Sequence, residues 1–286
     1  MRKAILTISL LLIVTATAHP QLVSIKLTGG MFWINGDDYN RGIAGENRYI
    51  KDTSMTMTGA YKELKNGLNF QAEIIANVNR HIAIGFGGGY YHLGNESTVK
   101  AQGVLSGAPF DSESTYEPRL SVIPLFVNIY YLMRLGSHAQ LSMFVGPLFQ
   151  VVQFNFTNRS TISISSVDQT LTYRSSSTTL GGQAGLGLHF DIFQGVALVF
   201  EGCYRYGRIS DLMGNWAVIG NSSSGPINKS SAEYYYWTYH DTSSGDYLRT
   251  GFFDNNGPTG TTVSGARKAV INLSGIIALG GIKFSF

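Results

Sequence analysis

A single cysteine, Cys203, occurs in 286 residues. Neither a disulfide framework nor a thiolate metal cluster can be built from it. Charge is also scarce: Asp, Glu, Lys and Arg make up 14% of the chain, against roughly 25% in an ordinary soluble domain. The net charge of +3 is not gathered into Lys/Arg clusters, which excludes a nucleic-acid footprint. Long apolar runs are missing as well. After the first residues the longest, at 122–133, is interrupted by Pro124 and Asn128, and a spanning helix needs about 20 apolar residues. Disorder is excluded from the other side, because 12% of the residues are aromatic and the net charge is low.

The chain begins with an address. Arg2 and Lys3 precede an apolar stretch from Ala4 to Val14 and a small-x-small site at Ala16-Thr17-Ala18, the layout of a cleaved secretory signal at 1–18. The stretch is too short for a transmembrane anchor. The remaining residues, 19–286, read as one exported domain, either soluble or embedded in an outer membrane.

Period-two alternation separates these two. Apolar and polar residues alternate in eight segments: 22–34, 68–78, 81–92, 120–133, 139–153, 179–192, 196–206 and 270–286. In the second, Leu68, Phe70, Ala72, Ile74 and Ala76 oppose Asn69, Gln71, Glu73 and Asn77. Strands that face lipid on one side and a lumen on the other produce this pattern. Connections near 77–80, 134–137 and 193–195 are short, whereas those at about 35–67, 94–118, 155–178 and 209–268 are long. A soluble sandwich has no reason to place every long loop at one end, but a membrane barrel does. Aromatic residues gather at both expected interfaces: Phe32, Trp33, Tyr90, Tyr91, Phe154, Phe156, Tyr204 and Tyr206 at the outer, Tyr130, Tyr131, Phe190, Phe284 and Phe286 at the inner. The expected fold is all-β, a closed antiparallel up-and-down transmembrane β-barrel of about eight strands with long extracellular loops.

With its signal, its Ile123-Pro124-Leu125 strand running to Tyr130-Tyr131 and its final strand ending at Phe286, the chain resembles the small eight-stranded bacterial outer-membrane β-barrel proteins. That resemblance implies a C-terminal signal for the barrel-insertion machinery at Ile282, Phe284 and Phe286, with Gly280 departing mildly from the pattern. It implies outer-membrane localisation and no particular activity.

An eight-stranded interior holds side chains rather than a wide channel. Lys26, Glu73, Glu201 and Lys283 fall inward on neighbouring strands, with Arg205 higher and His189 and Asp191 nearby. Buried charges persist when paired, so a structural lumen network is expected; an ion path or ligand site is the alternative. Gly85, Gly87 and Gly89 lie within a strand with no helix after them, which removes the phosphate-loop reading and leaves relief of crowding. No catalytic, metal or cofactor constellation is expected; His189, Asp191 and Glu201 sit far from the outer rim, and Cys203 reads as a packed inward thiol. The longest loop holds Tyr234, Tyr235, Tyr236, Trp237 and Tyr239 in a hairpin around Asp241-Thr-Ser-Ser-Gly245. These rings either recognise an extracellular ligand or surface, or pack to cap the barrel. The expected role is structural or surface-interacting, in a monomer whose partners are the lipid bilayer and the insertion machinery. A narrow solute channel is the alternative, and a membrane-embedded hydrolase comes after it.

Overall fold

The structure is a computed structural model that describes residues 23–54, 56–105, 108–163, 167–221, 227–253 and 257–286. The expected signal segment 1–18 lies outside them. In chain order the elements are β1 (Val23–Ile34), α1 (Asp37–Thr53), β2 (Thr56–Thr58), β3 (Asn66–Asn77), β4 (Ile82–Gly94), β5 (Ser97–Leu105), β6 (Ala108–Arg134), β7 (Ala139–Ile162) and β8 (Val167–Phe193). They continue as β9 (Val196–Tyr206), β10 (Arg208–Ile209), β11 (Met213–Gly220), β12 (Ile227–Asp241), β13 (Gly245–Phe253), β14 (Val263–Lys268), β15 (Ile271–Asn272) and β16 (Gly275–Ser285).

Eight of these strands pair antiparallel in a circuit: β1 with β3, then β4, β6, β7, β8, β9, β16 and back to β1. Each coincides with one of the alternating segments, and no edge is left over within the circuit. Three tight turns join its strands at one end. In the first, Asn79 Oδ1 accepts from the N–H groups of His81 and Ile82; the others use Gly136 at φ 146° and Gly195 at φ 78°, backbone that glycine adopts without strain.

Alternation sorts the side chains into two environments. Ile25, Leu27, Leu68, Phe70, Ile74, Phe86, Ile123, Leu125, Ile129, Val145, Leu186, Phe200 and Ile276 all stand exposed on the outside of the circuit. A water-soluble monomer rarely exposes so continuous an apolar surface. Inward residues are buried, and they mix polar groups with Phe126, Phe144, Tyr130, Val199 and Leu279. A Cβ at Gly85 would run into Glu73 and Tyr130, and one at Gly87 into Phe126. Those glycines make room for the large side chains that fill a narrow interior.

The aromatic assignments need correction. Trp33, Tyr90, Tyr204 and Tyr206, and at the other end Tyr131, Phe190, Phe284 and Phe286, are exposed as girdle residues would be. Phe32, Tyr91, Tyr130, Phe154 and Phe156 are instead buried inside. Each has the opposite parity to its girdle neighbour or lies beyond the apolar segment, and in a strand parity decides the face.

Strand structure continues into the long connections, in the segments around 161 and 170–174 as their β-prone residues suggest. β6, β7 and β8 run on as paired strands past the apolar zone, with β5 added beside β6. Their continuations are rich in Ser, Thr, Asn and Tyr on both faces, so strand geometry persists while the hydrophobic signal vanishes. The outward apolar residues stop where Arg119, Asn155 and Thr178 begin. The connection at 35–67 contains α1, a helix where a loop was expected. Its residues are mostly polar, and only Tyr39, Ile43 and Ile50 carry the 3.6-residue period.

Candidate functional site

Lys26 is the centre of the interior. Its Nζ lies 2.7 Å from Glu73 Oε2 and 2.7 Å from Glu201 Oε1, and it donates to the Tyr130 hydroxyl at 2.9 Å. Tyr130 in turn donates to Glu73 Oε2 at 2.6 Å. Adjacent registers place these groups together, because Lys26 sits directly opposite Glu73 across β1 and β3. All four side chains are buried. Two carboxylates against one ammonium leave one excess negative charge, and the bonding continues upward from it. Asn128 Nδ2 donates to Glu73 Oε1 at 3.0 Å, Gln183 Nε2 donates to Asn128 Oδ1 at 2.9 Å, and Arg205 Nη2 donates to Gln183 Oε1 at 2.9 Å. Arg205 is fully buried and its guanidinium lies 5.6 Å from the Tyr91 ring centre. Two amides thus separate the acidic end of the column from its distal cation, and the four charged groups together sum to neutrality.

This arrangement brings Lys26, Glu73 and Glu201 into contact but corrects the membership of Arg205 and Lys283. Among the described residues, no carboxylate lies within ion-pair distance of Arg205, whose partner is an amide. Lys283 is half-buried and donates to Gln140 Oε1 at 3.4 Å; it stands at the mouth of the turn end with Arg80, His81 and Arg134, around a cavity of about 1010 Å³. Lys283 faces Lys26 across β16 and β1, but its amine reaches Gln140 rather than the carboxylates that Lys26 holds. His189 is buried with Ser142 Oγ 3.0 Å from its Nε2, and Asp191 is exposed beyond it. Among the described residues no carboxylate orients that imidazole. Cys203 is a free, buried thiol. Ile282, Phe284 and Phe286 project outward from the last strand.

The other end of the ring is closed by α1 and the strands around it. Two asparagines clamp the helix to the segment that follows it. Asn40 Nδ2 donates to the Leu64 carbonyl while its Oδ1 accepts from the Leu64 N–H, both at 2.9 Å. Asn47 does the same with Tyr61, at 2.9 and 2.8 Å. On the opposite flank Gly42 and Gly45 let the helix lie against Thr250 and the Leu248 backbone of β13. Asp38, buried at the first turn, accepts from Arg267 and from the Val270 N–H at 2.8 Å. Inside the strand continuations Tyr39 meets Phe154, and Tyr173 and Phe156 meet Phe252.

Tyr234, Tyr235 and Trp237 belong to this packed layer rather than to a recognition surface. Tyr234 packs at a tilt on Phe154 and Phe252, and Tyr235 and Trp237 both pack on Phe253. All three are buried, the packed arrangement of the two alternatives; a large ring lowers its free energy more by packing than by facing water. Tyr236 and Tyr239 are half-buried, with Arg267 over the Tyr236 ring and Tyr49 beside Tyr239. The hairpin itself forms as β12 and β13, from Glu233↔Phe253 to Asp241↔Gly245. Its segment 222–226, holding part of the Asn221-Ser-Ser-Ser-Gly225 stretch, lies outside the described residues. Burial pushes the hydroxyls of Tyr61 and Tyr173 up to about 12. The hydrogen bond from Lys268, with a second from Tyr235, holds the Glu233 carboxyl below the usual range. The clamps, the Asp38–Arg267 pair and α1 itself escaped sequence reading; the i, i+4, i+11 spacing of Tyr39, Ile43 and Ile50 behind Asp37-Asp38 is the signal that could have revealed the helix.

No family model matches the sequence, and no curated protein matches it. Among solved structures the chain is similar to the outer membrane protein OprG from Pseudomonas aeruginosa, with 9% identity, a TM-score of 0.37 and coverage of 93% of this chain and 97% of that one. It is similar also to a major outer membrane protein from Thermus thermophilus, with 12% identity, a TM-score of 0.33 and coverage of 94% and 100%. A third is the outer membrane protease OmpT from Escherichia coli, with 9% identity, a TM-score of 0.33 and coverage of 93% and 97%.

Proposed function

We propose that this is an integral protein of a bacterial outer membrane: a closed eight-stranded transmembrane β-barrel with a filled lumen, carrying a folded extracellular layer that interacts with external surfaces. The observation that carries this reading is the apolar belt on the outside of a strand circuit without edges. A circuit of this kind satisfies its own backbone hydrogen bonds, the condition for residing in hydrocarbon. The belt runs from Tyr131, Phe190 and Phe284 at the turn end to Trp33, Tyr90 and Tyr204 at the other, the placement amphipathic rings take at two headgroup levels. Beyond it, ion pairs such as Lys100–Glu113 at 3.0 Å and Arg159–Glu117 at 3.2 Å suit water.

Inside, the Lys26 column and the aromatic layer under α1 fill the lumen above the cavity at the turn end, which favours a surface role over a solute channel. The experiment is insertion of the purified chain into lipid vesicles and planar bilayers. Resistance to alkaline extraction together with electrical silence across voltages is expected. Release by alkali removes the membrane reading, and stepwise conductance removes the filled lumen.

A further inference from the structure

Three neighbouring strands of the outer layer bring together Ser264 of β14, His240 of β12 and Asp246 of β13. His240 Nε2 lies 2.6 Å from Ser264 Oγ, and His240 Nδ1 lies 2.6 Å from Asp246 Oδ1. His240 and Asp246 are direct cross-strand partners, and Ser264 pairs with Thr238, two residues before His240. A hydroxyl on one ring nitrogen and a carboxylate on the other is the order of nucleophile, base and orienting acid. The hairpin does not depend on this row, since its ladder runs from Glu233 to Asp241 and its turn is held by Asp241 accepting from the Ser243 and Ser244 N–H groups.

The surroundings are open. Ser264 and Asp246 are exposed and His240 is half-buried. Glycines 245, 260 and 265 have no atom within 4 Å of where a Cβ would stand. Gly265 adopts φ 60° at the register shift within β14 directly after Ser264. Among the described residues β14 pairs with β12 alone. Its other edge therefore offers backbone N–H and C=O groups to an added strand. An extended polypeptide paired along that edge passes beside the Ser264 hydroxyl.

We propose that Ser264, His240 and Asp246 form a serine-hydrolase site that cleaves an amide bond in an extended polypeptide laid along β14. Ser264 Oγ forms a bond to the scissile carbonyl carbon as its proton passes to His240 Nε2. The C–N bond then breaks, and His240 returns that proton to the leaving amine. Water attacks the resulting ester and gives a proton to His240; the Ser264 C–O bond breaks, the proton returns to Oγ, and a carboxylic acid leaves. Asp246 accepts from Nδ1–H and so fixes the tautomer that presents Nε2 as base. The chemistry stands apart from the membrane reading and is tested without a bilayer.

The full chain, folded in detergent micelles, is treated with diisopropyl fluorophosphate and mapped by peptide mass, then incubated with unstructured casein. Heat-shifted gel mobility reports an intact ring in every variant. Expected are one adduct on Ser264, none in Ser264→Ala, labelling slowed about 100-fold in His240→Ala, and casein cleavage that disappears with Ser264→Ala. An unlabelled Ser264 in the folded chain, or labelling unchanged in His240→Ala, overturns the hydrolase site. Labelling without casein cleavage overturns the polypeptide assignment.

Discussion

The carboxylate of Asp38, buried at the first turn of α1, is gripped by both terminal nitrogens of Arg267, with Nη2 at 2.7 Å. The same carboxylate accepts from the Val270 N–H at 2.8 Å, so one side chain ties the helix to the segment that leads into the last strand. Asp38→Ala removes charged hydrogen bonds worth about 1.5–3 kcal/mol each when buried, and less here because Arg267 is itself half in water. We expect α1 to become sensitive to protease between residues 36 and 54 while the ring keeps its heat-shifted gel mobility. Gly45→Val should act in the same direction, because its Cβ would meet the Leu248 carbonyl. Protease resistance unchanged from the parent chain in both variants would show that α1 is held by something else.

A second expectation concerns the interior. Lys26→Met leaves Glu73 and Glu201 buried without the ammonium they share. Removing one member of a buried ionic cluster costs about 3–5 kcal/mol. Urea unfolding of the vesicle-inserted protein, followed by tryptophan fluorescence, should show that loss. The triple variant Lys26→Met, Glu73→Gln, Glu201→Gln should recover most of it, since no charge is then stranded. A triple variant as unstable as the single one would mean that packing, not charge, is the cause.

The ring was legible in the sequence because its outside and its inside impose opposite demands on successive residues. Val23 to Ile34 and Ile276 to Phe286 reveal their faces by parity alone. Lys26, Glu73 and Glu201 could be brought together from strand order, since each is inward and low on its strand. Arg205 could not be placed the same way. Its partner is Gln183, and nothing in a neutral amide marks it as the link between a cation and distant carboxylates. The outer layer was less legible still. Asp38 and Arg267 are far apart in the chain, and Tyr234 to Tyr239 read as exposed or packed until β13 and Phe252 are in place to cover them.

The belt itself can be tested by one outward charge. Leu186 lies midway along the apolar part of β8 and is exposed. An arginine at the midplane of a barrel costs about 2–4 kcal/mol in a bilayer. Thr172, on the polar continuation of the same strand, should accept arginine with a change of less than about 0.5 kcal/mol. The comparison is made by folding both variants into vesicles; equal stabilities would place Leu186 outside the hydrocarbon.

The last expectation is a pH dependence of the outer layer. Lys268 Nζ lies 2.8 Å from Glu233 Oε1, and Tyr235 donates to Glu233 Oε2 at 2.8 Å. Both bonds favour the ionised carboxyl and hold its pKa down in the folded layer. A carboxyl depressed by folding contributes stability above its unfolded pKa and loses it as pH falls through the folded value. Acidification from neutral pH should therefore loosen β12 and β14 first, read as a loss of protection, relative to an unstructured amide at the same pH, at the Ala269 N–H, which donates to the Tyr234 carbonyl at 2.8 Å. In Glu233→Gln that protection should already be lower at neutral pH and change less with acid. Identical acid profiles in the two proteins would remove Glu233 as the titrating group.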